Sequence, residues 1–104
     1  MLIDRWLTRW SRNYAFLRRA LDDIGRQLAR RPYDAMLQPD EELSFSQMVQ
    51  DVRVDFEVEV FRIDPSDRSM WVRVTARSGL ATPLRLNPSL VFRKLPDGRA
   101  YIAL

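Results

Sequence analysis

The stretch VRVDFEVEVFR, residues 52–62, decides the architecture. Val52, Val54, Phe56, Val58 and Val60 occupy every second position, with Arg53, Asp55, Glu57, Glu59 and Phe61 between them. Successive side chains of an extended chain point to opposite faces, so this alternation makes a strand with one dry and one wet face. A sheet of that kind is antiparallel and needs an apolar element over its dry face.

The cover lies upstream. Ile3, Leu7, Trp10, Tyr14, Leu17, Leu21, Ile24 and Leu28 recur four and three residues apart, which keeps one apolar stripe on one side of a helix. The spacing predicts a single helix over residues 2–31, stopped by Pro32 because proline bars the residue before it from helical geometry. Gly25 lies inside and weakens the helix by about 1 kcal/mol relative to alanine. At ~1.5 Å per residue the helix is about 45 Å long, and a strand of eleven residues spans only about 36 Å. The helix is therefore expected to overhang the sheet. Leu2, Trp6 and Phe16 widen the stripe beyond a narrow seam, leaving surplus apolar surface for a partner or a second copy of the chain. Trp6 and Trp10 interleaved with Arg5, Arg9 and Arg12 also suit a membrane surface, a reading that Asp22 and Asp23 oppose.

Residues 32–51 form an acidic link, expected as a short helix or as a loop that carries a ligand or partner site. Asp40, Glu41 and Glu42 suit the first turn of a short helix, where carboxylates meet free N–H groups. Ser44-Phe45-Ser46-Gln47 matches a capping box that starts such a helix at Ser44, with Leu43, Met48 and Val49 turned inward.

Beyond residue 62, Asp64-Pro65-Ser66-Asp67 is turn chemistry. The next strand, Met70 to Arg77, buries Met70, Val72, Val74 and Ala76 and exposes Trp71, Arg73, Thr75 and Arg77. Pairing Val60 with Val72 sets Phe61 opposite Trp71, Glu59 opposite Arg73 and Asp55 opposite Arg77, so the carboxylate row neutralises its neighbours. Leu84 and Leu86 suggest a further strand, cut short by Asn87-Pro88. A last hairpin, residues 90–95 and 99–104, turns at Pro96-Asp97-Gly98, with Phe92 beside Ile102, Leu90 beside Leu104 and Arg93 beside Tyr101. The expected fold is α+β: one domain over residues 1–104, with a long helix across three or four antiparallel strands spanning 52–104. In outline this resembles cone-shaped, cystatin-like α+β architectures, which implies a shape and no function.

Composition narrows the chemistry. The chain has 104 residues, 46% hydrophobic and 30% charged, with no Cys and no His, so disulfides, thiol catalysis and imidazole acid–base chemistry are excluded. The formal charge of +3 is the remainder of +5 over residues 1–31, −7 over 32–59 and +5 over 60–104. That pattern cancels internally, whereas nucleic-acid binding wants one continuous positive face. Sixteen of the seventeen basic residues are Arg, scattered along the chain. Lys94, the only lysine, is expected to be exposed near the last turn. Asp55, Glu57 and Glu59 share a strand face, as paired catalytic carboxylates do, but Arg73 and Arg77 opposite them give a surface account of the row. No glycine-rich phosphate loop, nucleophile elbow or metal-ligand spacing occurs, so no cofactor or metal is expected. No uninterrupted apolar stretch of secretory or membrane-spanning length occurs, which makes the expected location cytoplasmic.

The leading functional expectation is a non-enzymatic domain that binds another protein: an adaptor, assembly factor, chaperone-like or immunity-type protein. Aromatic and arginine side chains dominate interface energetics, which selects Trp6, Trp10, Phe61, Trp71, Arg73, Arg77 and Tyr101 as partner-binding candidates. The alternatives are a single-stranded nucleic-acid binder, using aromatics beside Arg on the wet face to stack bases, and a cone-shaped domain holding a small ligand between helix and sheet.

Overall fold

The computed structural model describes residues 2–36, 44–80, 82 and 87–103, with the side chains of 2–8 and 103 left aside. Helix α1 (Leu2–Ala29) is followed by the single turn α2 (Tyr33–Met36) and by five strands. These are β1 (Phe45–Val49), β2 (Val52–Ile63), β3 (Met70–Arg77), β4 (Ser89–Lys94) and β5 (Ala100–Ala103). They form one antiparallel sheet in the order β1-β2-β3-β4-β5. The expected class, a long helix on an antiparallel sheet, is what forms, with one strand more than the three or four expected.

The inner face of the sheet carries the core. Met70, Val72, Val74 and Ala76 of β3 are fully buried, as are Leu90 and Phe92 of β4 and Val54 and Phe56 of β2. Against them α1 lays Leu17, Leu21, Ile24 and Leu28. Each such side chain contributes about 1.5–3 kcal/mol on burial, which outweighs the helix penalty of Gly25 several times over. Gly25 also has a use the sequence does not announce. A Cβ there would sit 2.5 Å from Leu90 Cδ2, so helix and sheet approach closely at this point. The helix packs on β3, β4 and β5. Trp10 and Tyr14, two turns and one turn before Leu17, are only half-buried. The chain measures 55 Å along its longest axis, in keeping with a helix longer than the sheet it covers.

Four local expectations need correction. The capping box at Ser44 does not start a helix; β1 begins at Phe45 and pairs with β2 from Phe45↔Phe56 to Val49↔Val52. Phe45 and Val49 alternate with Ser46 and Met48, and that period of two prevails over the capping signal once β2 offers an edge. Met48, expected inside, is 61% exposed because it shares the outward parity of Arg53. The Gln50-Asp51 turn has both residues at positive φ, 47° and 66°, the backbone of a two-residue hairpin made without glycine.

Phe61 does not face Trp71. Val60 pairs with Val72 and Glu59 with Arg73 as expected, but Arg62 takes the place opposite Trp71 and Ile63 pairs with Met70. The Asp64–Ser69 turn closes with Asp64 N–H donating to Ser69 O at 2.8 Å, and its register differs by one residue from that of the core pairs. β2 absorbs the extra residue as a bulge at Phe61.

Lys94 is not exposed but 2% accessible. It follows Leu90 and Phe92 at even spacing and therefore points inward. There its ammonium donates to Ala29 O at 2.6 Å and Gly98 O at 2.8 Å. The first acceptor is an end-of-helix carbonyl, where a cation is doubly favoured by hydrogen bonding and by the helix dipole. Lys94 thus ties the end of α1 to the β4–β5 turn.

Asp55, finally, sits opposite Arg77 in the register but takes its charge partner elsewhere. Arg53 Nε lies 3.2 Å from it, and Ser46 of the unforeseen β1 donates its hydroxyl at 2.5 Å. The expected helix at Asp40–Glu42, the strand at Leu84 and Leu86, and the Leu90–Leu104 pair lie outside the described residues.

Candidate functional site

Strand parity assigns every outward side chain. Arg62 faces Trp71, Trp71 faces Arg93, and Arg93 faces Tyr101, making one row across β2, β3, β4 and β5. A second row runs from Glu59 through Arg73 to Val91. Phe61, displaced by the bulge, is 41% exposed, and Tyr101 is 53% exposed. These aromatics stand on the face turned away from α1.

The cations organise the rings. The Arg73 guanidinium lies 4.8 Å from the Phe61 ring centroid and its Nη1 is 3.8 Å from Glu59 Oε2. The Arg93 guanidinium lies 5.8 Å from the Trp71 centroid and also bonds the Asp67 carboxylate. Arg77 Nη2 is 3.3 Å from Glu57 Oε2, a diagonal reach that long side chains make across strands. The whole carboxylate row is consequently paired: Asp55 with Arg53, Glu57 with Arg77, Glu59 with Arg73.

Several carboxyls are held below the ordinary carboxylate range by local donors. Asp55 is lowered first by the Ser46 hydroxyl and then by Arg53. Asp64 is lowered by the Ser66 hydroxyl and backbone N–H, which donate at 2.7 and 2.9 Å. Asp67 is lowered by Ser69, whose N–H donates to it at 2.8 Å, and then by Arg93. Asp97 is lowered by the Arg99 N–H and guanidinium, and Arg99 is raised in return. All four stay ionised near neutrality and hold turns or strand pairs in place.

The seven sequence candidates divide between two layers. Phe61, Trp71, Arg73, Arg77 and Tyr101 come together on the outer sheet face. Trp10 belongs to α1 on the opposite side of the sheet, half-buried and engaged within the protein, so it does not join them. The side chain of Trp6 lies outside the described residues. Arg62 and Arg93 complete the aromatic row and were not among the seven. Arg93 was legible from its pairing with Tyr101, whereas Arg62 was hidden by the bulge. Among the described residues no group of three or more Asp, Glu, His or Cys gathers as a metal site, and no helix is long and apolar enough to cross a membrane. Compared with family models, curated proteins and solved structures, the chain matches none.

Proposed function

We propose that the protein binds another protein through the outer face of β2–β5 and catalyses no reaction. It serves as a cytoplasmic adaptor, assembly factor, chaperone-like or immunity-type protein. One observation carries this reading. Phe61 and Tyr101 stand exposed and Trp71 half-buried among Arg62, Arg73 and Arg93 on the sheet face that the core does not use. Flat aromatic and guanidinium groups bury large area with few rotamers to freeze, so a partner meeting them loses little entropy for the surface gained. The Glu59 and Glu57 ion pairs hold Arg73 and Arg77 in place before a partner arrives.

The same carboxylates weigh against nucleic acid, because Asp55, Glu57 and Glu59 stand within the face and repel phosphate. Their guanidinium partners also weigh against an acid–base pair, since each carboxylate is already engaged by an arginine. The close approach at Gly25 weighs against a ligand chamber there, since helix and sheet touch. The test is capture of partners from the native host by wild type and by Trp71→Ala, read by mass spectrometry, with both melting curves alongside. A partner lost from the variant while the melting temperature stays nearly fixed supports the reading. Equal capture, a collapse of stability, or binding to oligonucleotides that weakens with salt overturns it.

A further inference from the structure

A different part of the molecule carries a second surface, independent of the outer-face reading. Among the described residues β1 pairs with β2 along one side, and its other side is an edge of the sheet. Such an edge offers a row of backbone donors and acceptors, and folded proteins blunt it with charges, proline or a bulge. Phe45–Val49 has none of these: FSQMV carries no charge and no proline, and its pairing with β2 runs unbroken.

We propose that β1 pairs antiparallel with β1 of a second copy of this chain, around a two-fold axis at Gln47. The segment is self-complementary about that residue. The axis sets Phe45 against Val49 of the second copy, Ser46 against Met48, and Gln47 against itself. Aromatic against β-branched is a favourable cross-strand pair, and facing carboxamides can both donate and accept. Because β1 bears no charge, the pairing brings no like charges together. Phe45, whose ring lies 5.3 Å from that of Phe56, and Val49 are only partly buried on the inner face, and the pairing covers both further. It also gives the exposed Met48 a neighbour. The other edge fits a second copy less well, since Arg99 precedes β5 and Tyr101 stands in it. Two-fold pairing is the usual symmetry of such self-contacts.

The chain has no Cys, so single cysteines report the geometry cleanly. Light scattering over a concentration series is expected to reach twice the monomer mass. Gln47→Lys, which sets two like charges on the axis, is expected to raise the dissociation constant tenfold or more while leaving the melting curve of the dilute monomer unmoved. Gln47→Cys is expected to form a disulfide-linked dimer under mild oxidation, whereas Ser66→Cys, exposed in the β2–β3 turn, is not. The proposal is overturned by a monomer mass up to about 1 mM, by a dimer that tolerates Gln47→Lys, or by failure of Gln47→Cys to cross-link faster than Ser66→Cys. An extended peptide from another protein pairing with a monomeric β1 overturns it as well. None of these outcomes touches Trp71-dependent capture, so the two readings fail separately.

Discussion

The two faces of the sheet come from the same strands and the same alternation, yet they sort their residues against expectation. The inner face takes the only lysine of the chain, 2% exposed, and the outer face leaves Tyr101 53% exposed. Lys94 is inside because parity sends it there and because the end of α1 provides carbonyls that need a donor. Trp71 and Tyr101 are outside because α1 covers only one side of the sheet. Residue type proposes a location; the layer that arrives decides it. One face is thus committed to holding the fold, and the other is left outside the core.

This comparison can be broken by substitution. The largest effect belongs to the inner face: Phe92→Ala removes a fully buried ring beneath α1 and is expected to cost about 3–5 kcal/mol in urea unfolding. A loss below 1 kcal/mol there contradicts the assignment of the core. Next comes Lys94→Met, which keeps the stem but leaves Ala29 O and Gly98 O without their donor. A loss of about 1–3 kcal/mol is expected, with faster amide exchange in the last turn of α1. An unchanged midpoint means that water replaces the ammonium and that the tie is dispensable.

On the outer face the effects are small. Arg73→Ala removes an exposed ion pair with Glu59 and is expected to change stability by less than about 1 kcal/mol. Acid sharpens the same point. Asp55, Asp64, Asp67 and Asp97 have folded pKa values below their unfolded ones. Their contribution is therefore complete above the unfolded value of about 4 and is lost as pH falls through the lower folded values. The urea midpoint is expected to hold from pH 7 to about 5 and to decline below about 4. Asp67→Asn should flatten that decline, and an acid limb as steep as wild type in this variant removes Asp67 from the account.

How much of this was legible beforehand follows from the kind of signal each element emits. Helix α1, strands β2 and β3 and the Pro96-Asp97-Gly98 hairpin announce themselves by period and turn chemistry, and the pairs Val60↔Val72 and Arg93↔Tyr101 follow by counting. β1 was illegible because its turn, Gln50-Asp51, adopts positive φ without the glycine that normally marks it. Its first residues also spell a competing helix cap. The bulge at Phe61 results from two registers that disagree by one residue, a conflict visible only when both ends of the hairpin are placed. Lys94 shows the limit of reading polarity alone, since its parity pointed inward and its charge pointed outward. Of the site, the five sheet residues were found by alternation. Trp10 was drawn in by residue type, without the layer that separates it from them.

The most direct measurement of the central claim is a paired one on the triple variant Phe61→Ala, Trp71→Ala and Tyr101→Ala: urea stability and partner capture on the same preparation. Two exposed and one half-buried cross-strand side chains at up to about 1 kcal/mol each should cost less than Phe92→Ala alone. Capture of the wild-type partner should disappear. A triple variant that unfolds more readily than Phe92→Ala, or that still captures the partner, contradicts the division of labour between the two faces.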